Sequence, residues 1–253
     1  VPEPRLVDVF RLKYDYHNAK ALVKGEATGA DVRRLLVSGG RYSCRQLLEG
    51  FQKDALSGVS ARFQQAVAAA RRILAGTRDP QQCDILLDKA CYEEMARLAE
   101  DCASPFLKGY VRLCADTANL RTAVRVARMG KGSDFLLDVL LPGGSVAESA
   151  LAAARPEDLG SLFQAGALEK AARLGARAAQ PDGGPLLAFE RECDNALTRY
   201  VAAAKRVPFG EEPVIAFLHA KDAELTAVRT ILSGRRAGLD EAMIWERLRE
   251  CYV

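Results

Sequence analysis

Apolar residues recur along this chain at helical intervals, and no segment alternates between apolar and polar residues as a half-buried strand does. One helix face is formed by apolar residues at i, i+4, i+7 and i+11, namely Phe63, Val67, Ala70 and Leu74. Helical patterns also occupy residues 84–98, 168–179 and 240–249, whereas the spacing between residues 47 and 59 is broken. The pattern therefore predicts an all-α protein.

Glycine and proline divide these helical segments. Turns or helix starts are predicted at Gly39-Gly40, Asp79-Pro80, Ser104-Pro105, Pro142-Gly143-Gly144, Pro156, residues 181–185 and residues 208–210. Proline is tolerated at the first position of a helix, because the N–H group that it lacks has no partner within the helix there. These positions are therefore compatible with helices on both sides of each break.

The most informative pattern is an internal repeat. Two copies carry an acid, an asparagine and a base at the same spacing, Asp15, Asn18 and Lys20 in the first and Asp116, Asn119 and Arg121 in the second. Each copy then continues into a Leu-Leu pair and a Gly-Gly turn. This agreement in order and spacing predicts that both segments fold into similar helical units.

A third, weaker copy follows. Glu224 takes the place of the acid and Arg229 that of the base, whereas Ala227 stands where asparagine is expected. The repeat predicts three helical units, at residues 1–79, 80–180 and 181–253. Similar helical segments precede copies two and three, at residues 83–99 and 189–203. The first copy has no room for such a segment, so we expect its N-terminal helices to be missing.

The repeated polar residues have two interpretations. An acid and an asparagine three positions apart lie on the same helix face, and a buried polar group without a partner costs about 1–3 kcal/mol. One plausible partner is a backbone turn or a helix end of a neighbouring helix. The favoured interpretation is that these residues fix helix packing within each unit, and the other is that they line a surface for a partner. The positions concerned are Asp15, Asn18, Asp116, Asn119, Glu224 and Arg229.

Composition narrows the classes of function. The net charge of +3 is small, and basic and acidic residues are interleaved, which argues against a nucleic-acid partner. The seven cysteines include no C-x-x-C pair, which indicates free thiols in a reducing cytoplasm. No apolar run approaches the roughly 18 residues of a membrane span, so any membrane connection is expected to go through a partner.

Candidate catalytic groups are sparse. His17 and His219 do not form a metal-binding motif, and no glycine-rich nucleotide-binding motif or zinc spacing occurs. A cysteine hydrolase using Cys44 or Cys114 with a histidine has nothing in the sequence to orient the pair. We therefore predict a protein that is not an enzyme and holds no cofactor or metal. Glu93-Glu94 is interpreted as a solvated helix face. The single tryptophan, Trp245, is interpreted as a core residue, with an exposed interface anchor as the alternative.

Several segments together resemble one known family. Residues 10–20 and 110–121 resemble its "D-x-x-N-x-K" helix, and residues 208–217 resemble its C-terminal signature. That signature continues through residues 220–225 and 228–234 to Arg247-Leu248 and Tyr252-Val253. The chain is identified on these residues as a member of the C-subunit family of V-type/A-type ATPases (ATP synthases), which is related to the d subunit of the eukaryotic V-ATPase. Ala227 departs from the asparagine that the family often has.

The resemblance implies both a shape and a role. The family fold is three similar helical subdomains with pseudo-threefold symmetry around a funnel-like hollow. The family acts as a non-catalytic component of the central stalk, which connects the D and F subunits of the shaft to the membrane proteolipid rotor ring during proton or sodium transport. The protein would then be cytoplasmic, and peripheral to the membrane through that ring.

Two alternatives stay open, an unrelated helical-repeat scaffold and an enzyme on a helical fold. Under the stalk interpretation, related loops are expected to cluster at one end of the funnel and to contact the shaft or the ring. The glycines of these loops are Gly39, Gly40, Gly143, Gly144, Gly234 and Gly238.

Overall fold

The computed structural model describes residues 3, 5–164, 166–180 and 182–252, and within these ranges the chain forms helices and turns without a strand. The prediction of an all-α fold is confirmed. The helices are α1 (Arg5–Thr28), α2 (Cys44–Gln52), α3 (Ala61–Thr77), α4 (Pro80–Asp101), α5 (Pro105–Arg128), α6 (Ser133–Val139), α7 (Glu148–Ala153), α8 (Leu159–Leu162), α9 (Glu169–Ala178), α10 (Leu187–Ala202), α11 (Glu212–Arg236) and α12 (Glu241–Arg247). Short 3₁₀ helices lie at Arg33–Leu35, Pro156–Asp158 and Ala203–Arg206. Pro181 in a predicted turn and Val253 in the C-terminal motif lie outside the described residues.

The helix starts follow local chemistry. The carboxylate of Asp79 accepts a hydrogen bond from the N–H of Gln81, and the Ser104 hydroxyl accepts one from the N–H of Leu107. A proline follows each cap at the first helical position, as at residues 80 and 105. These caps satisfy N–H groups that have no partner within the helix, and they fix where α4 and α5 begin.

Residues up to Ala103 form one compact unit. In this unit α4 packs against both α1 and α3. The core lies where the three helices meet, and it contains fully buried Leu12, Phe63 and Leu87. The segment that precedes the second copy of the repeat, α4, therefore packs against the helix of the first copy.

Residues from Ser104 onward form a second compact unit. Here α10 packs against α5, α9 and α11, and the core contains fully buried Leu120, Val124 and Phe189. The helix α11, which belongs to the third copy, also contacts α12. The division into three units at residues 1–79, 80–180 and 181–253 stays a prediction, as do the threefold symmetry and the funnel-like hollow.

Candidate functional site

The repeated asparagines each hold a backbone turn in two places. Asn18 donates from Nδ2 to the carbonyl of Val37 (3.0 Å) and accepts from the N–H of Val37 at Oδ1 (2.8 Å). Asn119 forms the same pair of bonds with Leu141, at 2.8 and 2.7 Å. Both asparagines are buried. An amide is suited to this position because it offers a donor and an acceptor to one peptide unit.

The repeated aspartates bind the same turns a few residues later. Asp15 accepts from the N–H of Tyr42 (3.3 Å), and Asp116 accepts from the N–H groups of Ser145 (2.8 Å) and Val146 (3.3 Å). A side chain at Gly40 or Gly144 would collide with the corresponding carboxylate. Each Gly-Gly turn therefore approaches its helix closely because its second glycine has no side chain. We call each set of an aspartate, an asparagine and a turn a helix–turn bracket.

The bracket of the first unit includes a buried arginine. The guanidinium of Arg41 donates to Asp15 (2.8 Å) and to Glu94 of α4 (2.9 Å), and Glu94 also accepts from the hydroxyls of Tyr16 (2.8 Å) and Ser60 (3.0 Å). Glu94 is only 4% exposed, so its interpretation as part of a solvated face is wrong. Burial, together with the Glu94 carboxylate, raises the pKa of Tyr16, which keeps this hydroxyl a donor.

Basic residues after the asparagines connect each repeat helix to a second helix. Lys20 and Lys24 of α1 pair with Asp88 (2.6 Å) and Asp84 (2.9 Å) of α4. In the second unit the pairs between α5 and α10 are Arg121 with Asp194 (2.5 Å), Arg121 with Glu190 (2.7 Å) and Arg125 with Glu190 (2.6 Å). The acidic partners lie four residues apart in both helices, so they share one helix face.

The third copy lacks the bracket. Ala227 lies in the wall of a small cavity of about 210 Å³, which Leu248 and Arg249 also line. Glu224 is exposed and pairs with Lys221 (2.6 Å), and Arg229 is exposed on α11. Trp245 is 64% exposed, so its assignment to the core is wrong.

The loop glycines differ in exposure. Gly39, Gly143 and Gly238 are exposed and have positive φ angles of 146°, 90° and 72°, which favour glycine. Gly40 and Gly234 are buried, and Gly144 is half-buried. Gly234 lies against the side chain of Ile244. Packing and backbone geometry thus account for glycine at these positions, and their contact with a shaft or ring stays a prediction.

Each histidine has hydrogen-bonding partners in its own unit. His17 contacts the carbonyl of Leu35 (3.0 Å), whereas His219 lies between the hydroxyls of Tyr110 (3.1 Å) and Thr198 (3.3 Å). Within the described residues no three His, Cys, Asp or Glu side chains are grouped to hold a metal ion. None of the described helices combines the length and the apolar character needed to cross a membrane.

Comparison with known proteins shows the family to which the chain belongs. The family model for the ATP synthase (C/AC39) subunit matches residues 1–247. The chain belongs to this family. The relatives to which it is similar include the C subunit of the V-type sodium ATPase of Enterococcus hirae, at 24% identity over 251 residues, 99% of this chain and 76% of the relative. The C subunit of the V-type ATP synthase of Thermus thermophilus is 29% identical over 96% of this chain and 73% of the relative.

An archaeal relative gives the same result. The C subunit of the A-type ATP synthase of Haloferax volcanii is 28% identical over 93% of this chain and 71% of the relative. The resemblance to the C-subunit family found in the repeat motifs is therefore confirmed. Membership of the C/AC39 family supports the interpretation that the chain is a subunit of a V-type or A-type rotary ATPase.

Sequence reasoning finds one side of each bracket and misses the other. Asp15, Asn18 and their second-copy equivalents can be located because the repeat preserves their spacing. Arg41 and Ser145 occupy comparable places in the two turns but differ in chemistry, so the repeat does not single them out. The ion pairs between the acids of α4 and the lysines of α1 can be predicted only when it is known that these two helices pack together.

Proposed function

We propose that this chain is a non-catalytic component of the central stalk of a V-type or A-type rotary ATPase. In this role it connects the D and F subunits of the shaft to the membrane proteolipid rotor ring, so that torque passes between ATP chemistry in the head and ion movement in the membrane. It would lie on the cytoplasmic side and be peripheral to the membrane through the ring. The observation that carries the proposal is the family match over residues 1–247.

The helix–turn brackets support a mechanical role. A torque adaptor needs stiff units, and each bracket ties a long helix to the turn that follows it through buried hydrogen bonds. Such bonds resist deformation because an unsatisfied buried polar group costs about 1–3 kcal/mol. Stiffness alone would also suit a helical-repeat scaffold of another kind, but membership of the C/AC39 family favours the rotary complex.

The contact surfaces are proposed at the loops that contain the repeated glycines. Gly39, Gly143 and Gly238 are exposed, so their loops are available to a partner. Under the proposed threefold arrangement, equivalent loops of the units would face the shaft or the ring together. Buried Gly40 and Gly234, and half-buried Gly144, would hold these loops against their helices.

A reconstitution experiment tests this role. The full chain is mixed with a purified complex of the D and F subunits, or with the detergent-solubilised ring, and co-elution is followed by size-exclusion chromatography. We expect stable complexes with both. The loop variants Ser38→Glu and Ala237→Glu add a negative charge at exposed positions beside the glycines. Each is expected to weaken one of the two complexes about ten-fold, because an unmatched interfacial charge is costly.

The matched control is Gln52→Glu, which adds the same charge at an exposed position at the end of α2. It should leave both complexes unchanged. If the wild-type chain binds neither the shaft nor the ring, the stalk proposal fails. If the wild-type chain binds both and the loop variants bind as well as the control, the role stands and the assignment of the contact loops fails.

A further inference from the structure

The helix of the third copy carries an apolar stripe in contact with solvent. Leu225, Val228 and Leu232 of α11 are 55%, 47% and 62% exposed. They lie at i, i+3 and i+7, so they form one continuous face of the helix. Scattered exposed apolar residues are ordinary, but a contiguous row of large ones marks an interaction surface. We call Leu225, Val228, Leu232 and the adjacent Arg229 the α11 stripe.

The repeat shows that this face is a core face in the other two copies. When the copies are aligned on Asp15, Asp116 and Glu224, the apolar positions of the stripe correspond to two sets of buried residues. These are Tyr16, Ala19 and Val23 in α1, at 2%, 0% and 1% exposure, and Thr117, Leu120 and Val124 in α5, at 2%, 0% and 0%. The same three repeat positions are therefore buried in the first two copies and exposed in the third.

The structure also shows what covers the first two copies. In the first unit the ring of Tyr16 packs edge-on against Phe63 of α3 (5.4 Å between ring centres), and its hydroxyl binds Glu94 of α4. In the second unit Val124 and Phe189 both lie against Gly175, so α9 and α10 cover α5. In both units the cover is a pair of helices, one of which carries acidic residues four positions apart.

Charge at the stripe is complementary to such a helix. The base beside the covered face pairs with an acid of the covering helix in both units, Lys20 with Asp88 and Arg121 with Asp194. Arg229 is the equivalent base in α11. It is exposed and makes no ion pair within the described residues. The stripe thus offers an apolar row flanked by an unused positive charge.

We propose that the α11 stripe is the docking surface for an amphipathic helix of the α4 and α10 type, with an apolar face and a carboxylate that meets Arg229. The source that we assign is C-subunit sequence outside the matched region. The relatives contain such sequence, because this chain spans only 76%, 73% and 71% of the Enterococcus, Thermus and Haloferax proteins. This inference rests on the repeat and on exposure within the second unit, and it does not depend on the stalk role.

The test uses a defined probe. The part of the Enterococcus hirae relative that lies outside its match to this chain is prepared as a separate, fluorescently labelled polypeptide. Its binding to the full chain is measured by fluorescence anisotropy, and hydrogen exchange maps the protected amides. We expect saturable binding that protects α11. Val228→Asp should weaken it about ten-fold or more, because it places a charge in the apolar row.

Charge reversal separates specific docking from general stickiness. Arg229→Glu should weaken binding about three- to ten-fold, and a probe with its facing carboxylate changed to lysine should restore it. The control is Met129→Asp, at another exposed apolar residue of the same unit (61% exposed), and it should leave binding unchanged. All three substituted residues are exposed, so the variants are expected to fold.

Two results would overturn the inference. One is the absence of binding, or binding that Val228→Asp and Met129→Asp affect equally. The other is concentration-dependent self-association in analytical ultracentrifugation that Val228→Asp abolishes, because the stripe would then be covered by a second copy of the chain. Either result leaves the stalk proposal untouched, since binding to the shaft and the ring is measured separately.

Discussion

The two helix–turn brackets share their hydrogen-bond geometry but differ in charge. In the first unit the turn supplies Arg41, whose guanidinium lies between the buried carboxylates of Asp15 and Glu94. In the second unit the corresponding partner is Ser145, which gives Asp116 a hydroxyl (2.5 Å) and a backbone N–H (2.8 Å). The asparagine bonds are the same in both.

This difference separates what the bracket needs from what it tolerates. It needs an aspartate that accepts backbone N–H groups, an asparagine that binds one peptide unit on both sides, and a glycine that permits the approach. It tolerates either a buried charge or a neutral hydroxyl as the further partner of the aspartate. The charged bracket is expected to lose more stability when one of its members is substituted, because removing one member of a buried ion pair leaves an uncompensated charge.

Buried cysteines allow the unfolding of each of the two units to be measured separately in one chain. Cys83 and Cys91 lie in the first unit and Cys193 in the second, and all three are buried. Burial raises the pKa of Cys91 and of Cys193 to about 12. Because the thiolate is the reactive form, these thiols should react with a maleimide only when their own unit opens. Labelling along a urea titration, with mass spectrometry of the peptides, then gives the stability of each unit.

The largest effect is expected from removing the buried arginine. Arg41→Met should lower the free energy of unfolding of the first unit by about 3–5 kcal/mol, because Asp15 and Glu94 lose their counter-charge. Cys83 and Cys91 should become labelled at a lower urea concentration than in the wild type, while the urea concentration at which Cys193 is labelled should stay the same. The matched change in the second unit is Ser145→Ala, for which we expect a loss of about 0.5–1.5 kcal/mol. Equal losses for the two variants would remove the distinction between the brackets.

The sequence predicts the helices better than the contacts between them. The helix α3 follows from the spacing of Phe63, Val67 and the residues after them, and α4 and α5 begin at prolines that the sequence marks. Glu94 follows Glu93 on a charged helix, and nothing local shows that Arg41, 53 residues away, will meet it. Trp245 is expected in the core because its position is apolar in each copy. Its equivalent in the second copy, Leu137, is also exposed (45%), so an apolar residue that recurs in the repeat is not thereby a core residue.

The asparagines should matter equally in both units. Asn18→Leu and Asn119→Leu each remove two hydrogen bonds to one peptide unit, at Val37 and at Leu141. We expect each change to cost about 2–3 kcal/mol in its own unit, since the freed backbone groups are partly shielded from water. Thiol labelling reports which unit is affected. A loss in one unit at least twice that in the other would show that the two brackets differ beyond their charge.

A smaller loss in the free energy of unfolding is expected when a side chain is added to the glycines where the turns lie close to their helices. Gly40→Ala and Gly144→Ala would push a methyl group against the carboxylates of Asp15 and Asp116. We expect about 1–2 kcal/mol for each, with the larger value at Gly40, because Arg41 also holds Asp15 in place. The control is Gly76→Ala near the end of α3, where an added methyl group meets no atom. There we expect a gain of about 0.5–1 kcal/mol, and a loss would show that the glycine effects are not steric.

The smallest effect is expected at the ion pairs between helices, although they recur in both units. Lys24 with Asp84 and Arg125 with Glu190 occupy equivalent places. Both members of the first pair are partly exposed, and in the second pair Arg125 is well exposed to solvent. Exposed pairs contribute about 0.2–1 kcal/mol, because water and salt screen the attraction and both side chains lose freedom. Lys24→Met and Arg125→Met should therefore each cost no more than about 1 kcal/mol, and about 0.5 M salt should remove the difference from wild type. A loss as large as that of Arg41→Met, or one that salt leaves unchanged, would mean that these pairs hold the helices together rather than select their alignment. In that case Arg229, which has no acidic partner among the described residues, would mark a helix that lacks a source of stability as well as an open surface.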